Sequence, residues 1–229
     1  MSERINGISS MATRQLLADL ADAYNKHSGV AVAMEAVGGV DAAKRVQAGE
    51  PFDVVVLAAD AIDKLVAAGR VVASSKTDIV HSGVAIAVRA GAQRPDNGSE
   101  PALRQAVLSA RSVGHSTGPS GVALTKLFER WGISDVIKGR LVQAPPGVPV
   151  GALVADGEVE LGFQQLSELM HLEGIDVLGP MPDSVQIVTT FSAGRCSASA
   201  QPEAADKLLQ FISSPAAAEA KRRNGMAPA

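Results

Sequence analysis

Residues 53–58 read DVVVLA, an unbroken apolar run of strand length, and no other stretch constrains the fold more. A strand without polar alternation has to be covered on both faces, as happens inside a parallel sheet packed by helices. The flanks agree. Ahead of the run, residues 5–9 read as a short strand. Leu16, Leu17, Leu20, Ala21 and Tyr24 then recur at helical spacing, and Gly29 closes that helix. Residues 30–37 alternate as a strand, and Gly38-Gly39 turns into a helix over 40–48. Behind the run, Ile62, Leu65 and Val66 mark another helix that ends at Gly69. This β-α-β-α-β-α series with short links predicts a mainly parallel sheet flanked by helices.

A longer strand follows at 80–88 (VHSGVAIAV), and then a polar stretch at 89–100, RAGAQRPDNGSE, that breaks the chain. A second series comes after it. Residues 101–110 read as a helix, 112–115 as a short strand, and 122–131 as a helix with Leu124, Leu127, Phe128 and Trp131 on one face. Shorter helices are predicted at 135–139 and 148–156, and strands at 161–164 and 177–179. A second long strand, QIVTTFSAGRCSAS, covers 186–199, and helices at 204–212 and 216–223 complete the pattern. The two long strands bracket the second series. If the later one returns the chain to the first sheet, two α/β lobes are joined by two crossing strands. Lobe 1 is then 1–83 plus 195–229 and lobe 2 is 84–194, with a ligand expected in the cleft between them.

Composition removes several classes of function. The 21 basic residues are scattered in a chain of net charge -3 with 3% aromatics, so no nucleic-acid partner is expected. No run approaches the roughly 18 apolar residues of a membrane span, so no membrane insertion is expected. Cys196 is the single cysteine, which excludes an internal disulfide, and it reads as buried and inert. No histidine or carboxylate pair has metal-ligand spacing, so no metal is expected. The opening Met-Ser-Glu-Arg leads directly into a short strand and reads as free of a signal peptide, hence cytoplasmic. A chain already trimmed of its leader would read the same and be periplasmic.

The stretch HSTGPSGVAL at 115–124 contains G-x-S-x-G centred on Ser116, the pattern of a hydrolase nucleophile elbow. Its context is wrong for that. SARSVGH is a poor central strand, and Gly118-Pro119 delays the helix that should begin at once. There is no Gly-Lys pair for a phosphate loop and no G-x-G-x-x-G after a strand, so no cofactor is expected. What remains is a loop of small hydroxylic residues feeding a helix start. Its free N–H groups favour an anion, unless Thr117 or Ser120 simply caps the helix.

The same device recurs. Ser9-Ser10, Gly38-Gly39 and Ala58-Ala59 each follow a strand and open a helix, and Pro149 stands at a helix start after Gly147-Val148. These are carboxyl ends of strands, where open α/β sheets bind ligands. Several such starts would ring a small anion with donors and need no cationic side chain.

In this order the segments resemble the molybdate-binding proteins of ABC transporters, within the type II periplasmic solute-binding fold, over nearly the whole chain. The carriers are ISSMATRQLLADLADAYNKHSG, QAGEPFDVVVLAADAIDKLVAAGRV, GPSGVALTKLFERWGI, GALVADGEVELGFQQLSEL and AADKLLQFISSPAAAEAKRRNGMAP. The resemblance implies a monomer that binds a small anionic ligand in its cleft, with a membrane permease as partner if it is secreted. It places the first binding serine at Ser9 or Ser10, the small-residue loop at Pro119-Ser120-Gly121 and a backbone contact at Val148. Two positions depart from the family pattern. Gly38-Gly39 stands where molybdate binders carry a serine, and Gln164-Gln165 near their tyrosine. An oxyanion short of donors is costly to bury, whereas glutamine amides suit a carboxylate.

Ala58, Ser82 and Thr117 complete the candidate ligand residues. His81, where the first lobe crosses to the second, and His115 are candidate acid/base groups. Relatives of the molybdate binders include isomerases of unsaturated tricarboxylates such as aconitate, so binding and isomerisation both remain open, with a Ser116 hydrolase third.

Overall fold

The computed structural model describes residues 4–229. The chain begins with β1 (Arg4–Ser10), α1 (Arg14–Ser28), β2 (Ala31–Val37), α2 (Gly39–Gln47), β3 (Val54–Ala58), α3 (Ala59–Ala67) and β4 (Thr77–Arg89). It continues through α4 (Glu100–Ser109), β5 (Val113–His115), α5 (Pro119–Arg130), α6 (Ser134–Ile137), β6 (Leu141–Gln143) and α7 (Val150–Asp156). Then come β7 (Leu161–Gln165), α8 (Leu166–Leu169), β8 (Ile175–Pro180), β9 (Val188–Arg195), α9 (Pro202–Ser213), α10 (Ala218–Arg223) and β10 (Met226–Pro228). Two compact units divide these elements: one runs up to His81 and resumes from Thr190 to Ala229, and the other is Ser82–Thr189. β4 and β9 each pass from one unit to the other.

In the first unit β1 lies between β2 and β3, parallel to both, and β9 joins β3 antiparallel with Ala58 opposite Phe191. The DVVVLA run explains itself here. Val54 and Val56 enter the core under α1 and α9, with Leu16, Leu20 and Leu208, while Val55 and Leu57 enter the core under α2 and α3, with Val46 and Ile62. All four are at most 1% exposed, and each contributes about 1.5–3 kcal/mol over an exposed position.

In the second unit β5 lies between β6 and β7, parallel to both, while β4 runs antiparallel to β7 and β8. Ile86, Val88 and Phe163 pack with Leu103, Val107, Leu124 and Phe128 on one face; Ala85, Ala87 and Leu169 pack on the other.

The expected elements differ from the structure mostly at their ends. The late crossing strand is Val188–Arg195 rather than 186–199. A helical turn at Asp183–Val185 precedes it, and beyond Arg195 the chain bends into a turn where Ser199 Oγ donates to Asp53 Oδ1 at 2.7 Å. The early crossing strand is longer than 80–88, running Thr77–Arg89. The helix expected over 148–156 begins at Val150, with Pro149 as its N-cap. The strands β6 and β10, three residues each, have too little sequence to show a period. Cys196 is 1% exposed, and burial together with the neighbouring Asp53 pushes its thiol up to about 12, so it forms no reactive thiolate.

Lys221 in α10 is 2% exposed and has no carboxylate within ion-pair distance among the described residues. Burial holds its ammonium below the ordinary lysine value of 10.5. Between the folded and unfolded values the unfolded chain binds the extra proton, so stability rises with pH through that window. Lys221→Met is therefore expected to be more stable than the parent at about pH 7, with an advantage that shrinks towards about pH 10. Urea midpoints of both proteins at the two pH values check this; an advantage that stays constant would contradict it.

Candidate functional site

The carboxyl ends of β1, β2 and β3 share one edge of the first unit, because the three strands are parallel. Ser10, Gly38, Gly39 and Ala58 all stand on it. Ser9 is fully buried and its Oγ lies 3.5 Å from the Glu35 carbonyl within the sheet. Ser10 instead opens the helical turn at Met11–Thr13, accepting from the Ala12 N–H at 3.4 Å. A Cβ on Gly39 would stand 3.6 Å from Ser10 Oγ, so the two loops touch. Gly38 is the N-cap of α2 and Ala58 that of α3; neither helix has a side-chain cap. Their first-turn N–H groups therefore remain available to a ligand or to water. Asp41 and Asp60 in these first turns lie 3.9 Å from Lys44 and Lys64, which offset their charge.

β9 is antiparallel to β3, so its beginning lies at this same edge, with Thr190 one residue beyond the Phe191–Ala58 pair. Here His81 Nδ1 is 3.0 Å from Thr190 Oγ1, and the imidazole is exposed. The structure thus brings His81 to the strand-end edge that carries Ser10, Gly39 and Ala58.

In the second unit the corresponding edge holds the ends of β5 and β7. Gly118 caps α5 without a side-chain bond, so neither Thr117 nor Ser120 acts as the cap. Thr117 is exposed, whereas Ser120 is 6% exposed with its Oγ 3.3 Å from Ser116 Oγ. His115 is also 6% exposed, and its Nδ1 lies 3.1 Å from the Ser116 carbonyl. A carbonyl only accepts, so in the neutral ring Nδ1 carries the proton and Nε2 keeps its lone pair. The ring thus bonds the Ser116 backbone rather than its hydroxyl, and α5 starts at Pro119, three residues after Ser116. That is not the geometry of a nucleophile elbow. Gly121 seats the loop on α5: a Cβ there would be 1.9 Å from the Ser116 oxygen.

Both glutamines at the end of β7 are 3% exposed, and both have protein partners. Gln164 Oε1 accepts from the Gly151 N–H at 3.2 Å, capping α7 in place of Pro149, and its Nε2 donates to Glu168 at 2.9 Å. Gln165 lies between β4 and β9. One orientation of its amide satisfies both ends: Nε2 donates to Ser82 Oγ (2.7 Å), the Ser82 carbonyl (3.0 Å) and the Gly83 carbonyl (3.2 Å), while Oε1 accepts from Thr189 Oγ1 at 2.8 Å. The reverse would set the amide oxygen against two carbonyls. Ser82 is thereby buried in this network. Val148 is 38% exposed, and its N–H donates to the Pro145 carbonyl at 3.0 Å. Thr189, Thr190, Gly151 and Glu168 carried no sequence signal; strand pairing brings the two threonines to these places, the packing of α7 on β7 brings Gly151, and the turn of α8 directly after β7 brings Glu168.

Among the described residues no cluster of three or more His, Cys, Asp or Glu has the arrangement of a metal site, and no helix is long and apolar enough to cross a membrane.

The model of the bacterial extracellular solute-binding protein family matches residues 5–227. The chain belongs to this family. Aconitate isomerase from Pseudomonas sp is 41% identical over 229 residues, covering 96% of this chain and 86% of that one. The periplasmic molybdate-binding protein of Azotobacter vinelandii superposes with a TM-score of 0.81 at 19% identity, over 97% of this chain and 98% of its own. The sulfate-binding protein of Mycobacterium tuberculosis H37Rv does so with a TM-score of 0.81 at 17% identity, over 99% and 87%. At these identities the two structures share the fold with this chain. Within that fold, the edges that carry this chain's uncapped helices are the strand ends at which α/β sheets take ligands.

Proposed function

We propose that this solute-binding protein takes up a small carboxylate anion and that uncapped helix starts at strand ends supply its donors. The observation that carries the reading is that α2, α3 and α5 all begin at strand ends without a side-chain cap. Uncapped N–H groups and the helix dipole favour negative charge there without a basic side chain. In the first unit the Ser10 hydroxyl adds a donor and Gly38-Gly39 supplies backbone alone; in the second, the Ser116 and Ser120 hydroxyls add donors. That set suits a carboxylate, which needs fewer donors than a tetrahedral oxyanion. The kinship with an aconitate isomerase supports the same choice.

A thermal-shift panel tests it, with citrate, cis-aconitate and trans-aconitate against molybdate, tungstate, sulfate and phosphate. At about a hundredfold excess over Kd, a ligand specific to the folded state adds about 2.7 kcal/mol. For a chain of this size that raises Tm by several degrees. The carboxylates are expected to shift Tm and the oxyanions are not; a shift with molybdate or tungstate alone would overturn the carboxylate assignment.

A second reading, isomerisation of an unsaturated tricarboxylate, is favoured by the exposed imidazole of His81 on the strand-end edge. A base there takes a proton from the methylene carbon next to the double bond. The electron pair is shared by the two outer allylic carbons and the carboxylates conjugated with them, and the helix N-termini stabilise the added charge. Return of the proton to the opposite allylic carbon shifts the double bond and leaves the base as it began, so no oxidant or cofactor enters. Proton NMR of cis-aconitate with the protein separates holding from conversion. A secreted form that only binds would hand its anion to a membrane permease; the isomerase reading needs no such partner.

A further inference from the structure

We propose that Thr190 is a positioning residue for His81: its hydroxyl accepts from Nδ1–H and leaves Nε2 as the free, unprotonated nitrogen that takes the substrate's proton. The inference rests on the isomerase reading of His81. The two side chains are 109 positions apart in sequence and meet at 3.0 Å because β4 and β9 carry them to one place. Both belong to strands, so the contact is held by backbone pairing rather than by a loop. Thr190 Oγ1 has no other hydrogen-bond partner among the described residues, so its lone pairs are available to the ring.

The direction of the bond follows from what a base has to do. A hydroxyl can donate to Nδ1, which would put the ring proton on Nε2 and remove the base. It can equally accept from Nδ1–H, which leaves the Nε2 lone pair outward. Only the second arrangement also suits the imidazolium, in which both nitrogens carry protons. The bond made before proton transfer is then the bond made after it, and nothing at Nδ1 reorganises as Nε2 is protonated. His115 shows the same form, with Nδ1–H donated to the Ser116 carbonyl. There the acceptor is backbone and the ring is buried; at His81 it is a side chain that mutation can remove.

The experiment combines long-range proton–nitrogen NMR with kinetics on the full chain. Spectra are recorded at about pH 8, above the ordinary imidazole range, and the His81 signals are assigned by their loss in His81→Gln. The parent is expected to show a protonated Nδ1 and an unprotonated Nε2. Thr190→Val should shift the ring towards the Nε2–H form and lower kcat for aconitate isomerisation by about tenfold with KM little changed. Thr190→Ser, which restores the hydroxyl, should recover both. An Nε2–H ring in the parent, or a valine variant with unaltered kcat, would overturn the assignment of Thr190. A parent with the expected ring form that leaves aconitate unconverted would instead refute the isomerase reading, and with it His81 as the base, while the hold of Thr190 on the ring would stand.

Discussion

Gly121→Ala is expected to lower stability by about 3 kcal/mol and to abolish ligand-induced stabilisation. The added Cβ would stand 1.9 Å from the Ser116 carbonyl oxygen, 2.8 Å from its carbon and 3.2 Å from His115 Nδ1. Two of these atoms are backbone, so no rotamer change relieves the overlap. Either the first turn of α5 moves or the 116–118 loop does. Both routes displace Ser116 from Ser120 and loosen the carbonyl that fixes the His115 ring. The glycine is not required by its dihedral angles, since it lies inside a helix and has no positive φ; it is required by the closeness of the loop. Urea midpoints give the stability loss, and the carboxylate thermal-shift panel gives the binding loss. A loss below about 0.5 kcal/mol, the usual range for neutral surface changes, would mean that the loop yields freely and does not hold the cluster.

Gln165→Leu is expected to cost about 3 kcal/mol, because it strands several polar groups at once. The amide satisfies the Ser82 hydroxyl, the Ser82 and Gly83 carbonyls and the Thr189 hydroxyl, in a place where Gln165 is 3% exposed and Ser82 is fully buried. Leucine fills a similar volume and satisfies none of them. The damage should be local: amide exchange around Ser82–Val84 and Thr189 should quicken, while that of β1 and β3 stays slow. Gln164→Leu makes the comparison, since it removes one cap bond on Gly151 and one to Glu168 and should cost less. Equal costs for the two variants would deny Gln165 its special place between the crossing strands.

The glutamines also show where sequence reading stops. DVVVLA announced a doubly covered strand because its five apolar side chains divide between two cores, and burial is written in residue type. The uncapped starts of α2, α3 and α5 were legible for a similar reason: glycine, alanine and proline at helix starts leave N–H groups unclaimed. Gln164-Gln165 was equally visible as a polar pair ending a strand, but its partners were not. Thr189 lies 24 positions away, and Ser82 belongs to a strand whose register with β7 only the folded sheet defines. Residue type told of hydrogen-bonding capacity without telling where it is spent. The pairing of His81 with Thr190 was hidden for the same reason, and β6 and β10 are strands only because neighbours pair with them.

The unit that holds Ser10, Gly39 and His81 is assembled from the two ends of the chain, whereas Ser82–Thr189 is continuous. On the ribosome this imposes an order. When β1, β2 and β3 have emerged, β3 still lacks its β9 neighbour and the helix α9 that covers Val54 and Val56. Its open edge is VVVLA, an apolar segment with unpaired N–H and C=O groups, the kind of edge that recruits other chains. It stays open while the whole intervening unit is synthesised, and closes only when Phe191–Arg195 arrives. The continuous unit can fold as it emerges, so the nascent chain passes through a stage in which half of it is finished and the other half is a template waiting for its last strand. Mutations that slow the arrival of β9 should therefore appear first as aggregation during synthesis, before any loss is visible in the purified protein.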